Sequence, residues 1–323
     1  MLNRFAGKKV LVTGAAGFLG SHLVETMLEE GAMVMGIDNF ITGNADNLSE
    51  VESENLRFIE ADVTQPAGNY LQGEVFDYIF HFASPASPPF YQKYPRETYL
   101  VNTVATDALL QYLQATNPEG TFIFAGTSEA YGDPLEHPQK ETYWGNVNPN
   151  GIRSCYDESK RLGETICGVF NRDFEIDTRI VRIFNTYGPR IGAEDGRVIP
   201  SFINSALHKR PMTIFGSGSQ TRSYCYVSDL VEGILRLSLE PRAKGETVNI
   251  GNPEEYTVSQ TANIIWREVY EESSEPMIEH KDLPGDDPTR RKPDISKAKE
   301  LLDWEPTVSF EEGLKKTVEW FSR

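Results

Sequence analysis

The residues of this chain best suited to chemistry are a tyrosine and a lysine four positions apart, Tyr156 and Lys160. On a helix, side chains at i and i+4 are neighbours on one face, so the two groups would lie together. A free phenol ionises near pH ~10, and a nearby ammonium favours the phenolate. The pair therefore predicts a base that works near neutral pH. The same spacing is common on solvated helices, so its meaning depends on the rest of the chain.

A second set of reactive side chains follows a strand-like run over 121–125. Thr127 and Ser128 bring hydroxyl groups, and Glu129 brings a carboxylate. Ligands of parallel sheets bind where the strands end, so these groups are expected at the same crevice as Tyr156. A hydroxyl there can relay a proton between an alcohol substrate and the tyrosine.

The elements that must position these groups begin with a β-branched run over 9–13, a glycine-rich turn, and helical periodicity over 21–30. Glycines at Gly14, Gly17 and Gly20 permit a tight turn and close packing of helix on strand, and the N-terminus of the helix binds phosphates. This order of elements predicts a dinucleotide pyrophosphate site. The glycine spacing alone is weak support for this site, but the strand before the glycines and the helix after them strengthen the prediction.

An acidic residue, Asp38, ends the second strand-like run over 33–37. At about 20 positions beyond the glycines, a carboxylate binds the ribose diol and repels a 2′-phosphate, which favours NAD over NADP. For Asp38 a turn is the alternative, but its place at the strand end favours the cofactor role. Asp62 follows the third strand and suits an adenine contact, although an aspartate there is as often a cap or turn residue. The predicted cofactor-binding residues are Gly14, Gly17, Phe18, Leu19, Gly20, Asp38, Asn39, Asp62, Val63, Phe82, Ala83, Asn102, Tyr156 and Lys160.

Strands alternate with helices over most of the chain. Strand-like runs at 56–60, 77–82, 121–125 and 177–182 are separated by helical stretches, notably 97–115 and 156–171, and a helix at 228–239 precedes a strand at 247–250. The pattern predicts an α/β fold, a doubly wound parallel sheet (Rossmann) with a smaller C-terminal substrate-binding lobe. We expect residues 1–185 plus 225–250 in the NAD-binding domain. The lobe, 186–224 plus 251–323, is expected to contain only short elements.

Composition narrows the class of protein. The chain has 323 residues and a net charge of −17, which argues against nucleic acid or an anionic membrane as a partner. An anionic ligand would therefore need a local cluster of arginines. Three scattered cysteines and five dispersed histidines predict neither a disulfide framework nor a metal site. No apolar run reaches membrane-spanning length, and the first nine residues lack the apolar core of a secretion signal, so a cytoplasmic protein is expected.

Several longer segments carry a resemblance to a known family. With the glycine turn and the Tyr156/Lys160 helix, they resemble the extended short-chain dehydrogenase/reductase family that acts on nucleotide sugars. Within that family the chain is most similar to the UDP-glucuronate decarboxylases, over essentially its whole length. The segments lie at 83–89, 127–134, 143–149, 182–190, 216–222 and 290–294.

The resemblance implies a reaction without net redox change. Tyr156 would deprotonate the C4 hydroxyl of UDP-glucuronate while hydride passes to NAD. The resulting 4-ketone lies β to the C6 carboxylate, so loss of CO₂ leaves a stabilised enolate, and protonation at C5 and return of the hydride give UDP-xylose. Lys160 would hold the nicotinamide ribose. Dehydratases of the family carry an Asp-Glu pair after the threonine and epimerases carry small hydroxyl residues, whereas this chain has Ser128 and Glu129.

The resemblance also implies roles for particular residues. The implied catalytic residues are Thr127, Ser128, Glu129, Tyr156, Lys160 and Arg291, with Glu129 and Arg291 near C5 and the carboxylate. The implied substrate-binding residues are Pro85, Ser87, Tyr91, Arg153, Asn185, Val198, Arg222 and Arg291. A homodimer is expected, paired through the helices at 97–115 and 156–171.

Two alternatives remain open from the sequence. A 4-epimerase of UDP-glucuronate or another nucleotide sugar would use the same Tyr156 and NAD without losing carbon. A non-catalytic protein that binds a nucleotide sugar or NAD is the other, and the intact Thr127, Tyr156 and Lys160 argue against it.

Overall fold

The computed structural model of the chain describes residues 3–270, 275–283, 285, 288 and 290–323. Residues 271–274, 284, 286–287 and 289, which belong to the predicted lobe segment 251–323, lie outside the described residues, as do residues 1–2. The main sheet is parallel and has seven strands, namely β1 Lys9–Thr13, β2 Met33–Asp38, β3 Leu56–Glu60, β4 Tyr78–His81, β5 Thr121–Thr127, β6 Asp177–Ile183 and β11 Thr247–Ile250. Their order across the sheet is β3-β2-β1-β4-β5-β6-β11.

This strand order is that of a doubly wound sheet, which confirms the predicted fold class. Burial of both sheet faces explains the apolar character of the central strands. In β1, Val10 and Val12 belong to one hydrophobic cluster and Leu11 to the other, on opposite faces. The order reverses between β1 and β4, so the crevice that binds ligands in such folds opens at the ends of these two strands.

Helices cover both faces of the sheet. They are α1 Phe18–Glu29, α2 Gly68–Leu71, α3 Pro88–Lys93, α4 Pro95–Leu100, α5 Thr106–Thr116, α6 Ser154–Phe174, α7 Val198–Leu207, α8 Val227–Leu239, α9 Val258–Tyr270, α10 Ser296–Leu302 and α11 Phe310–Phe321. The helix predicted over 156–171 is α6. The helix predicted over 97–115 consists of α4 and α5 joined by a π-helical turn, Val101–Ala105. None of the helices within the described ranges combines the length and apolar character needed to cross a bilayer.

The segments outside the main sheet form smaller sheets. β7 Thr186–Tyr187 pairs with β10 Cys225–Tyr226, and β8 Met212–Phe215 pairs with β13 Ile278–Lys281. β9 Thr221–Ser223 lies between β12 Glu255–Thr257 and β14 Arg290–Arg291. The expectation of only short elements in these segments is wrong for α7, α9 and α11, which have 10, 13 and 12 residues. The polar faces of α9 and α11 lowered the apolar content of those two segments and concealed the helical pattern.

Candidate active site

The glycine turn lies at the crevice where the strand order reverses. Gly14 has a φ of +72°, and a Cβ there would lie 2.8 Å from the backbone of Phe82 and Ala83, which follow β4. A Cβ at Gly20 would lie 1.9 Å from the Gly14 carbonyl oxygen. Both positions therefore require glycine. Helix α1 starts at Phe18 after Gly17, which has no side chain to cap it, so its first amides can bind phosphate oxygens.

Asp38 ends β2 beside this turn. Its carboxylate is 8% exposed and accepts hydrogen bonds from the amides of Ala16 at 3.0 Å and Phe40 at 2.8 Å. Burial raises the pKa of Asp38, although these amides oppose the shift. The neighbouring Asn39 accepts from the Ile41 amide at 3.1 Å. The carboxylate is thus adjacent to the phosphate-binding turn, as a ribose ligand requires.

Asp62 occupies a different environment. Its Oδ1 accepts from the amide of Thr64 at 2.9 Å and from the hydroxyl of Thr64 at 2.8 Å. It therefore closes its own turn, the alternative that the sequence left open. Val63 is buried, and its carbonyl accepts from the Tyr70 hydroxyl.

Asn102 lies in the π-helical turn and is fully buried. Its Nδ2 donates to the Ser159 hydroxyl on α6 at 3.0 Å. Next to it, His81 Nε2 donates to the Val101 carbonyl at 3.0 Å, and Nδ1 accepts from the Thr13 hydroxyl at 2.7 Å. Burial lowers the pKa of His81 to about 3, so the ring is neutral. These contacts join the ends of β1 and β4 to α6.

Tyr156 lies in the first turn of α6 and is 5% exposed. Its hydroxyl is hydrogen-bonded to the side chain of Thr127 at the end of β5. The Thr127 oxygen also accepts from the Glu129 amide at 3.2 Å, so its proton is available to the tyrosine oxygen. The ring stacks on Tyr91, with centroids 5.1 Å apart and planes 10° from parallel. Ser128, the next residue after Thr127, is buried.

Lys160 lies one turn farther along α6, and its ammonium donates to the Ala125 carbonyl at 2.8 Å. Its nitrogen lies 5.8 Å from the centre of the Tyr156 ring. Tyr156 and Lys160 are therefore close together, as predicted, but the pKa of Tyr156 is not lowered as expected. Burial raises the pKa of Tyr156 to about 12 and lowers the pKa of Lys160 to about 7. Desolvation is the largest cause of both shifts.

Glu129 is held by two arginines. The two terminal nitrogens of Arg291 pair with the two carboxylate oxygens of Glu129, Nη1 with Oε1 and Nη2 with Oε2, the latter at 2.9 Å. Arg153 contacts the same Oε2 at 2.8 Å. Burial opposes ionisation of the carboxyl, but Arg291 and Arg153 outweigh it and lower the pKa of Glu129 to about 2. Bidentate pairing of this kind fixes the orientation of a carboxylate as well as its charge.

A third arginine, Arg222, lies beside Arg291. Arg291 on β14 is in parallel register with Arg222 on β9, and adjacent strands are about 4.8 Å apart. Both arginines are nearly buried. Two neighbouring guanidinium groups repel each other unless an anion lies between or beside them. The cluster therefore provides local positive charge in a chain whose net charge is −17.

Buried polar atoms without a hydrogen-bond partner among the described residues gather in this region. They are Ser87 Oγ, Tyr91 Oη, Asn102 Oδ1, Asp157 Oδ1 and Arg291 Nε. Buried polar groups in native proteins are almost always hydrogen-bonded, so a bound ligand is the natural partner for these atoms. With the uncapped start of α1 and Asp38 beside it, Asn102 and Lys160 fit a dinucleotide, and the other atoms fit a polar substrate.

Sequence reasoning missed two charged residues at the site. Asp157, next to Tyr156, is 7% exposed, and burial together with Glu129 raises its pKa to about 7. Arg197, which precedes α7, interacts electrostatically with both Tyr156 and Glu129. A carboxylate at the first turn of the predicted helix was a signal for Asp157. Nothing local to Arg197 pointed to the site.

The remaining predicted substrate residues lie on three other elements. Pro85 and Ser87 are in the loop between β4 and α3, and Ser87 directly precedes that helix. Asn185 follows β6, and its carbonyl accepts from the Cys225 amide at 2.9 Å. Val198 is the first residue of α7. Over the described part of the chain, no group of three or more His, Cys, Asp or Glu side chains could hold a metal ion.

Comparisons with known proteins show which proteins the chain is similar to. Residues 10–251 match the NAD dependent epimerase/dehydratase family. UDP-glucuronic acid decarboxylase 1 of Arabidopsis thaliana is 49% identical over 315 residues, which cover 97% of this chain and 69% of that protein.

Solved structures agree with the sequence match. An epimerase from Methanothermobacter thermautotrophicus has a TM-score of 0.90 and 30% identity, covering 99% of this chain and 94% of the other. UDP-glucuronic acid 4-epimerase from Bacillus cereus, in complex with UDP-glucuronic acid and NAD, has a TM-score of 0.86 and 29% identity, covering 97% and 99%. The chain therefore belongs to the NAD dependent epimerase/dehydratase family.

Proposed function

We propose that the chain decarboxylates UDP-glucuronate to UDP-xylose through a 4-keto intermediate and recycles bound NAD. The observation that carries this proposal is the Glu129 carboxylate, whose side chain is only 14% exposed and which contacts both Arg291 and Arg153 close to the Tyr156–Thr127 hydrogen bond. A curated relative with 49% identity is a UDP-glucuronic acid decarboxylase. The arginines supply the positive charge that a sugar carboxylate needs.

The first step is oxidation of the sugar C4 hydroxyl. NAD supplies the hydride acceptor for this oxidation and the hydride donor for the closing reduction. Burial keeps Tyr156 a neutral phenol in the unliganded protein, and the positive charge of a bound nicotinamide would favour its phenolate, the form that can take the hydroxyl proton. Thr127, which hydrogen-bonds the phenol oxygen, would stabilise that phenolate and relay the proton. Lys160 donates one hydrogen bond to Ala125 and, even as a neutral amine, keeps a further proton that it can donate to a ribose hydroxyl.

The second step breaks the bond between C5 and C6. The electron pair of that bond moves into the 4-ketone as an enolate, CO₂ leaves, and C5 then takes one proton. Arg291 and Arg153 can hold the C6 carboxylate only if they release Glu129 in part, because their guanidinium groups already contact it. Loss of these contacts removes the cause of the low pKa of Glu129 and leaves it suited to carry the C5 proton.

Arg222 and Arg197 extend the positive region around Glu129. A guanidinium suits phosphate oxygens, so Arg222 is proposed to bind the diphosphate of the nucleotide. Val198 at the start of α7 and Asn185 after β6 are proposed to line the same path. Pro85, Ser87 and Tyr91 are proposed to contact the sugar, which would give the Ser87 and Tyr91 hydroxyls hydrogen-bond partners.

One assay tests the function. The protein is incubated with UDP-glucuronate labelled at C6, and released CO₂ and nucleotide-sugar products are followed. CO₂ with UDP-xylose supports decarboxylation, whereas UDP-galacturonate without CO₂ identifies a 4-epimerase, the activity of the Bacillus cereus neighbour. Unchanged substrate would refute both activities. Tyr156→Phe should lose turnover while Tyr94→Phe keeps it, because only the first removes the phenol that is bonded to Thr127.

We also propose that two copies pair through α4, α5 and α6. Large apolar side chains are exposed on α4, on α6 and on the π-helical turn between α4 and α5, namely Tyr99, Leu162, Phe174 and Val104 at 43%, 50%, 49% and 48%. Light scattering coupled to size exclusion should give a dimer, and Leu162→Arg should give a monomer. Leu135→Arg, which adds the same charge at an exposed leucine outside these helices, should leave the dimer intact.

Two further assignments are proposals of the same kind. A cytoplasmic location is supported by the three cysteines, Cys155, Cys167 and Cys225, all of which are free thiols. The division into an NAD-binding domain, 1–185 plus 225–250, and a substrate lobe, 186–224 plus 251–323, is supported by β11, which joins the main sheet after the first lobe segment. Limited proteolysis with and without NAD would test the division.

A further inference from the structure

We propose that Gln139 is a positioning residue that fixes Arg291 opposite Glu129 and thereby sets the preference of the site for a sugar that carries a carboxylate. The proposal rests on the function proposed above. Gln139 lies in the loop after the Glu129 turn, and its side chain bonds to the backbone of other residues.

Gln139 is fully buried and holds the chain directly after Arg291. Its amide donates to the Lys292 carbonyl at 2.9 Å, and its carbonyl accepts from the Asp294 amide at 2.8 Å. Its side-chain Oε1 accepts from the Lys292 amide at 2.9 Å. Its Nε2 donates to the Glu136 carbonyl at 2.7 Å, so both polar atoms of the side chain are satisfied.

The strand that carries Arg291 is short. β14 contains only two residues, Arg290 and Arg291, which pair with Thr221 and Arg222 on β9. The Ser223 hydroxyl adds a long contact of 3.4 Å to the Arg291 carbonyl. A strand this short is far below the usual length of about 5–6 residues, so by itself it holds the position of the Arg291 side chain poorly. The bonds from Gln139 supply the second anchor.

The same network reaches the turn that carries Glu129. That turn spans Ser128–Tyr131, and the Tyr131 hydroxyl donates to Asn249 Oδ1 at 2.8 Å. Asn249 Nδ2 donates to the carbonyl of Gln139 at 3.1 Å and to that of Asp294 at 3.2 Å. The Glu129 turn and the Arg291 strand are therefore tied to each other through buried amide groups.

Precise placement matters because the Arg291–Glu129 contact is bidentate and joins residues 162 positions apart. Two parallel hydrogen bonds tolerate little rotation of the guanidinium plane, and the same plane must accept the substrate carboxylate. Misplacement by about 1 Å can reduce a rate by on the order of a hundredfold. Loss of the Gln139 side chain should therefore affect the carboxylate selectively and leave the rest of the nucleotide sugar bound.

The test compares binding of UDP-glucuronate with binding of UDP-xylose, which lacks the carboxylate. Calorimetry is performed in a Tyr156→Phe background, where no turnover occurs. Gln139→Met keeps the side-chain volume and removes both polar atoms, and we expect it to reduce the ratio of the two affinities by about 10- to 100-fold. Lys140→Ala is the control, because this neighbouring side chain is 63% exposed and lies 4.0 Å from Asp294.

A second comparison separates positioning from general damage to the fold. Arg291→Met should remove the preference for UDP-glucuronate, and adding Gln139→Met should then change the ratio no further. A further fall in the double variant, or equal weakening of UDP-xylose by Gln139→Met alone, would overturn the proposal. If Gln139→Met does not fold, Gln139→Glu replaces the donor to the Glu136 carbonyl with a buried carboxylate oxygen and should lower the ratio in the same direction. A folded Gln139→Glu protein with the wild-type ratio would also refute the proposal.

These measurements can fail independently of the proposed function. CO₂ release is measured on the wild-type chain, and a negative result there refutes decarboxylation. The affinity ratio depends only on binding, so it tests the role of Gln139 whichever reaction the wild-type chain catalyses.

Discussion

Replacement of Lys160 by methionine should stabilise the protein, and by an amount that falls as the pH rises. Lys160 is 3% exposed, and burial lowers its pKa from 10.5 to about 7. Between these two values the unfolded chain binds the proton and the native protein does not. The contribution of Lys160 to the stability of the wild-type protein therefore increases with pH over this range, because the unfolded state binds more protons. A methionine side chain does not titrate, so the variant lacks this dependence.

The magnitude follows from the size of the shift. Holding Lys160 in the native protein costs about 5 kcal/mol at pH 6 and about 2 kcal/mol at pH 9, at roughly 1.4 kcal/mol per pKa unit. The variant also loses the hydrogen bond to Ala125 and changes local packing, which shifts its stability by a constant amount. The constant cancels in a comparison across pH. The advantage of Lys160→Met should therefore shrink by about 3 kcal/mol from pH 6 to pH 9.

Urea unfolding of both proteins at pH 6, 7.5 and 9, after removal of NAD, measures this difference from the midpoints and slopes. Lys8→Met serves as the control, since the Lys8 side chain is 47% exposed and should show no such trend. A stability difference between wild type and Lys160→Met that stays constant from pH 6 to pH 9 would show that burial does not hold this lysine neutral. The electrostatic description of the Tyr156 pair would then be wrong.

Three further predictions concern the same cluster. Asp157 has a folded pKa of about 7 against an ordinary 3.8, so the native protein loses stability relative to the unfolded chain as pH rises between these values. In urea unfolding, Asp157→Asn should therefore be more stable than wild type by up to about 4 kcal/mol at pH 8 and by almost nothing at pH 4. Glu129→Gln leaves Arg291 and Arg153 without their anion and should lower the free energy of unfolding by about 3–5 kcal/mol while stopping CO₂ release; unchanged unfolding would contradict the ion-pair description. Tyr91→Phe removes a buried hydroxyl that has no partner in the described structure, so it should unfold at the same or higher urea concentration, yet bind UDP-glucuronate more weakly by calorimetry.

The parts of this site that the sequence predicts are those determined by neighbours along the chain. The glycine turn precedes α1 directly, and Tyr156 and Lys160 lie on one helical segment, so periodicity and spacing were sufficient. The pKa values of the pair depend on burial by distant elements, and here the sequence expectation had the wrong direction for Tyr156. Asp62 could not be assigned either, because a turn and a cofactor contact need the same residue at that point.

The pairing of Glu129 with Arg291 could be inferred only through resemblance to a family. No periodicity connects residues that are 162 positions apart, and β14 is too short to recognise as a strand. Gln139 was not recognised for the same reason, since its partners at 292–294 are contributed by the opposite end of the chain. Such contacts are fixed by the tertiary fold and not by local sequence preference.

The distance along the chain between Glu129 and Arg291 also bears on how reactions are assigned to related proteins. The family match covers residues 10–251 and ends 40 positions before Arg291. If Glu129 and Arg291 act as proposed, a gene that exchanged its last segment by recombination would keep the glycine turn, Tyr156 and Lys160 and still change its product. For a newly sequenced relative, the informative diagnostic is whether a glutamate after the Thr-Ser pair and an arginine in the tail occur together.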